Sequence, residues 1–240
     1  MLNSFRIATF VIALIIPISS LAVDVESVEG IPGNSIIPLQ ESVVILIKWV
    51  VNIDGRETEI KVNSEFTLKN TSDKSINLSM GYPFDDVTNI YGKSIDGLDG
   101  FKIVVNDQEL SSVKKKTTDN EDISLRVYDN LYTWNVEFKP KEVKIIELRY
   151  IMRWSLPDFR TEDRELLYIT KAASSWKGNI QQADFYIHLS NRVSKDLKDN
   201  YLHISSSHED YKIKDYKVIE YHFKNWEPTE NISIGFFETD

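Results

Sequence analysis

Few groups in this sequence could do chemistry. There are four histidines, His188, His203, His208 and His222. His203 and His208 lie five apart across a serine-rich stretch, and the other two fall in alternating segments. None has the close, fixed offsets of metal ligands, so no metal site and no cofactor are expected. The acidic stretches SIDGLDG (94–100) and TDNED (118–122) offer several oxygens. Neither has the 1-3-5 ligand spacing of a calcium loop, so both are expected to be turns, with a calcium site as the alternative. There is no Gly-x-Ser-x-Gly elbow, no His-Glu-x-x-His pair and no glycine-rich phosphate loop. With no cysteine there is no thiol nucleophile. Asp85 and Asp86 are adjacent, whereas a glycosidase holds two carboxylates on either side of a cleft. No catalytic residue is predicted, and the chain is expected not to be an enzyme.

Binding remains. The chain has five Trp, eleven Tyr and eleven Phe. Exposed rings can stack on sugar faces, and Trp134, Trp154, Trp176 and Trp226 are candidates, although aromatics more often fill β cores. Trp176 stands out because ASSWKGNI (173–180) surrounds it with small polar residues, as in a turn. The second candidate is the end of FTLKNTSDKSINLSMGYPFDD (66–86), where Tyr82, Asp85 and Asp86 follow an alternating stretch. The predicted ligand-binding residues are therefore Tyr82, Asp85, Asp86 and Trp176.

The elements that must position these residues read as strands. SVVILIKWVVNI (42–53) is rich in β-branched residues and ends at the turn dipeptide Asp54-Gly55. TEIKVNSEFTLKN (58–70) alternates, with Ile60, Val62, Ser64, Phe66 and Leu68 on one face and Glu59, Lys61, Asn63, Glu65 and Lys69 on the other. The two segments predict a hairpin. The run 66–80 predicts another, with turn-forming residues over 69–74 and a strand over 76–80 that stops at Gly81-Tyr82-Pro83. Further strands are predicted over 101–105, 123–128, 131–138, 143–154, 166–170, 183–189, 201–204, 216–223 and 231–237. Only 193–199 looks helical. Short strands at this spacing indicate an all-β, immunoglobulin-like β-sandwich, not a parallel α/β fold. Residues 40–156 are expected to form the sandwich domain. Residues 157–240 are expected to form a second β-rich lobe or to continue the sandwich.

The ends and the charge bound the setting. Residues 1–22 carry one charge, Arg6, then an apolar run broken by Pro17, and the small residues Ser20 and Ala22. That is the pattern of a cleaved secretory signal peptide. The apolar run is about half the ~20 residues that span a bilayer, so no transmembrane anchor is expected after cleavage. Residues 23–39, with Pro32, Gly33 and Pro38, are expected to be an N-terminal tether or a strand lead-in. The net charge is −9, which argues against nucleic acid as a partner, since phosphate binding needs a basic patch. A cysteine-free exported chain has no disulfide framework and must hold by its core. Sequons occur at Asn70, Asn77 and Asn231.

Two windows carry a family likeness. The first is Phe66-Thr-Leu-Lys-Asn-Thr-Ser-Asp-Lys-Ser-Ile-Asn-Leu-Ser-Met-Gly-Tyr-Pro83. The second is Tyr168-Ile-Thr-Lys-Ala-Ala-Ser-Ser-Trp176-Lys-Gly178-Asn-Ile180-Gln-Gln-Ala183. Together they resemble uncharacterised exported bacterial β-sandwich proteins, in which a Lys-Asn-Thr turn precedes a Met-Gly-Phe-Pro strand end and a Trp-x-Gly-x-Ile stretch follows later. Tyr82 stands where Phe is usual. The resemblance implies a bacterial host and a β-sandwich, and carries over no catalytic residue. The expectation is an exported, non-enzymatic binding or interaction module, periplasmic, cell-surface or secreted, whose partner is a protein or glycan of the envelope. A carbohydrate-binding module using exposed aromatics, and a hydrolase with a site scattered through the sequence, are the alternatives.

Overall fold

The computed structural model describes residues 33–56, 59–85, 87–88, 94–95, 98–117, 128, 130–152 and 164–239. The predicted signal peptide, Asp86, Trp154, the acidic stretch 118–122 and the predicted strand over 123–127 lie outside these residues. In chain order the strands are β1 (Gly33–Asn34), β2 (Ile37–Pro38), β3 (Val44–Gly55), β4 (Ile60–Asn70), β5 (Ile76–Phe84), β6 (Val87–Thr88), β7 (Ser94–Ile95), β8 (Asp99–Val105) and β9 (Gln108–Leu110). They continue as β10 (Val113–Lys116), β11 (Asn130–Phe138), β12 (Val143–Met152), β13 (Arg164–Ile169), β14 (Ile180–His188), β15 (Leu202–Ser206), β16 (Lys212–Lys214), β17 (Val218–Trp226) and β18 (Ile232–Glu238). One α-helix, α1 (Asn191–Lys198), and one short 3-10 turn, Lys171–Ser175, complete the described residues. Ser190 caps α1, its hydroxyl accepting from the Val193 N–H.

The fold is all-β. An eight-stranded sheet runs β16-β17-β14-β3-β4-β12-β8-β9. Two four-stranded sheets, β10-β11-β5-β2 and β1-β13-β18-β15, face it. Ring contacts show which part of the large sheet each covers. Tyr82 on β5 meets Tyr150 on β12, while Tyr168 on β13 meets Trp49 on β3 and Phe185 on β14. The apolar positions of all three sheets form one core. Strands on both sides of residue 157 therefore enter one sheet: β14 pairs with β3 in parallel, and β3 pairs with β4 antiparallel.

The period-2 pattern explains the faces. Ile60, Val62, Ser64, Phe66 and Leu68 are all buried, as are Leu78 and Met80. The first predicted hairpin forms, although β3 runs through Gly55, which pairs with Ile60, and the Arg56 N–H donates to the Glu59 carbonyl beyond the last ladder pair.

The second predicted hairpin does not form. β4 pairs with β3 and β12 in the large sheet, whereas β5 pairs with β11 and β2 in a small one. Residues 71–75 are an arch that crosses between layers. Asn70, fully buried, holds it: the amide donates to the Lys74 and Lys139 carbonyls, and its oxygen accepts from the Ser72 N–H and hydroxyl. An arch and a hairpin share one alternation, because in both the apolar face turns to the same core. Gly81-Tyr82-Pro83 likewise does not end the strand. β5 continues to Phe84, with Pro83 opposite Leu131. The Pro83 carbonyl accepts from the Asn34 amide, so the side of β5 on which Pro83 lacks a donor faces away from β11 and no ladder bond is lost.

Candidate functional site

The structure places the predicted binding residues in different settings. Tyr82 is a core residue with no exposed surface, its hydroxyl accepting from the Asn34 N–H at 2.8 Å. It is not a loop ligand, because the alternation Ile76, Leu78, Met80, Tyr82, Phe84 carries it onto the inner face. Asp85 follows β5, half-buried, beside Tyr128. Burial is the main cause that pushes the Tyr128 hydroxyl up to about 12, a hydrogen bond to Asn34 opposes it, and the Asp85 charge adds to it. Trp176 is 3% exposed, and its indole N–H donates to the Ile36 carbonyl at 2.8 Å. It is not an exposed stacking platform. Trp134 is buried too, and Trp226 stacks on Phe223 at 4.3 Å.

These residues meet through the segment 33–39. It is a buried seam between the two small sheets: β1 pairs with β13 and β2 with β5. Asn34 accepts from the Tyr168 hydroxyl through its carbonyl and donates to Tyr82 and Pro83 of the other sheet. Behind it, the Tyr82, Tyr150 and Tyr168 hydroxyls are all raised well above the usual tyrosine value, mainly by burial and then by one another. The Trp49 indole N–H is satisfied by the Ser64 hydroxyl at 2.8 Å. The sequence gives no signal for these bonds, whose partners lie far apart along the chain.

Beside this seam a cleft of about 480 Å³ opens between the chain leading into β3 and the turn that follows the 3-10 segment. Trp176 forms one wall, and Pro38, Val43 and Val44 supply apolar surface. Gly178 takes φ +77°, the left-handed conformation that lets the chain turn away after Trp176 and Lys177. The hydroxyls of Ser42 and Ser175 are committed to the Val44 N–H and the Ala172 carbonyl. Glu41 and Lys177, by contrast, are exposed and form no ion pair among the described residues. The cleft thus combines apolar surface, chiefly from Pro38 and Val43 beside the edge of Trp176, with one anion and one cation at its rim.

A second polar cluster sits on the open face of the large sheet. The His222 Nδ1 lies 2.8 Å from Asp184 and its Nε2 lies 3.4 Å from Glu220. Gln182 donates to Asp184 at 2.5 Å, and Lys214 pairs with Glu220 at 3.3 Å. The hydrogen bond to Asp184 raises the His222 pKa, with Glu220 adding to it, while the bond from His222 holds Glu220 below the usual carboxylate range. Both imidazole nitrogens face carboxylates, so neither is turned toward a hydroxyl nucleophile. His188 and His203 are exposed on separate strands, and His208 contacts the Ser207 hydroxyl. Among the described residues, no three His, Cys, Asp or Glu side chains are grouped to hold a metal ion. Nor is any helix among them long and apolar enough to cross a membrane.

No family model matches the chain, and none of the curated proteins does. Among solved structures, a Legionella pneumophila protein described as a "putative nutrient binding protein" superposes with a TM-score of 0.68. Identity is 19%, over 87% of this chain and 71% of that one. At that identity the likeness shows the fold alone. An M1 zinc metallopeptidase from Deinococcus radiodurans overlaps at a TM-score of 0.34 and 8% identity, covering 83% of this chain and 43% of that one, a level that carries no argument.

Proposed function

We propose that the protein is exported and acts, without catalysis, as a binding module of the bacterial cell envelope, taking a small polar ligand in the cleft at Trp176. The cleft carries this reading: it joins apolar surface to two charges of opposite sign, Glu41 and Lys177, which form no ion pair among the described residues, on a well-packed sandwich. The leader-like residues 1–22 support export to the periplasm, the cell surface or the medium. The nutrient-binding description of the Legionella protein agrees with a binding role. A non-catalytic role is supported by the His222 cluster on the sheet, whose ring nitrogens are both engaged by acids on an open face. A sugar module built on exposed rings is not favoured, since Trp134 and Trp176 are buried.

Isothermal titration against a panel of amino acids, sugars and small organic acids tests the binding role. At least one class is expected to bind, and Lys177→Ala or Glu41→Gln to weaken that binding about tenfold, the loss of one charge-assisted contact. Absence of heat from every class contradicts the reading. Export is tested by fractionating cells that make the full chain. The account expects a product shortened by the leader outside the cytoplasm; a full-length product retained inside contradicts it.

A further inference from the structure

We propose a second site, on the outer face of the eight-stranded sheet, where a hollow at Asn52 and Asn63 binds one neutral sugar ring. It is independent of the Trp176 cleft. Alternation turns Val51, Ile53, Val62 and Tyr150 inward and leaves Asn52, Asp54, Asn63 and Arg149 outward. The register then sets Asn52 directly opposite Asn63, and Asn63 opposite Arg149. One row further along, Asp54 lies opposite both His188 and Lys61. Six polar side chains from four adjacent strands thus converge on one patch of rigid sheet.

The patch is concave. The pairing of β12 with β8 shifts register between Arg149 and Ile151, and Gly100 takes φ +62° with nothing within 4 Å of where a Cβ would stand. Irregularities of this kind bend a strand and recur next to active sites. The result is a hollow of about 340 Å³, inside the size range of small-molecule sites at about 300–1,000 Å³. Ile151, which alternates outward with Arg149, gives it apolar surface among the polar side chains.

Three features select the ligand. First, asparagine is disfavoured in strands, yet two face each other mid-sheet and neither side chain makes a hydrogen bond among the described residues. Each amide offers donors and an acceptor together, which suits a hydroxyl, itself both donor and acceptor. Second, the charges at the rim are compensated: Asp54 pairs with Arg56 at 3.2 Å, Arg149 with Glu147 at 2.6 Å and Lys61 with Glu59 at 3.8 Å. A charged ligand gains little from such a rim, whereas a neutral polyol can use its donors and acceptors. Third, apolar surface at Ile151 beside a polar rim matches a pyranose, which has a C–H face and an edge of hydroxyls. The same chemistry serves a free hexose and the end residue of a glycan.

Isothermal titration of the folded protein with glucose, galactose, mannose and N-acetylglucosamine, and with oligomers of each, tests this. At least one sugar is expected to bind. Asn52→Leu and Asn63→Leu, both at exposed positions, should each weaken it about tenfold, one or two lost hydrogen bonds, with the unfolding midpoint changed little. Lys177→Ala in the Trp176 cleft should leave it unchanged. Tighter binding of oligomers would assign the hollow to a glycan end, and equal binding to free sugar; both support the site. The proposal is overturned if no sugar binds, if both asparagine variants bind as the parent does, or if Lys177→Ala alone removes the binding.

Discussion

At the scale of single residues, the interior is held by hydrogen bonds between groups far apart in sequence. Tyr82 shows the consequence. Its ring packs in the core, and its hydroxyl satisfies the Asn34 N–H across 48 positions. Tyr82→Phe keeps the ring and strands that N–H, so urea unfolding should show a loss of about 1–3 kcal/mol. An unchanged midpoint would mean that the bond contributes nothing. Ser64→Ala should do the same to the Trp49 indole. His222 gives a pH signature. Its folded pKa is raised by Asp184 and Glu220, so its contribution is complete below the ordinary histidine value near 6.5 and fades as pH rises through the raised value. With the side chain 38% exposed, the effect should be small, about 0.2–1 kcal/mol. His222→Gln should remove that pH dependence of the thermal midpoint, and an identical slope in the variant would refute the assignment. Such roles were not legible in the sequence. Trp176 among small polar residues looked like an exposed turn, and only the distant Ile36 carbonyl explains why the ring turns inward.

At the scale of elements, strands and their inner faces were legible and their partners were not. Alternation fixes which side chains go inward but is silent on which sheet a strand joins. Hence residues 66–80 form an arch instead of a hairpin, and Pro83 sits inside a strand whose donor-free side faces Asn34. The segment 33–39 was the least legible part, because two-residue strands leave no periodic trace. It is buried where a tether would be exposed, with Ile36 fully covered. Ile36→Ala should therefore cost about 2–5 kcal/mol, the range for emptying a core site. A cost below ~0.5 kcal/mol, typical of surface positions, would show that the seam is not part of the core.

At the scale of the whole molecule, one large sheet carries both small ones over a continuous core, and the 33–39 seam bonds to each small sheet. Unfolding should accordingly be a single cooperative transition, with far-UV circular dichroism and tryptophan fluorescence curves superimposing; separated curves would mean that the halves melt independently. On this frame the Trp176 cleft and the proposed Asn52–Asn63 hollow are built from separate residues. The central claim is that the cleft binds. Its most direct test is titration of the protein with the panel of small polar compounds, alongside Lys177→Ala and Glu41→Gln. The account predicts a saturable heat with at least one compound, weakened about tenfold in each variant. Silence across the panel, or the absence of any compound whose binding the two variants weaken, would contradict it.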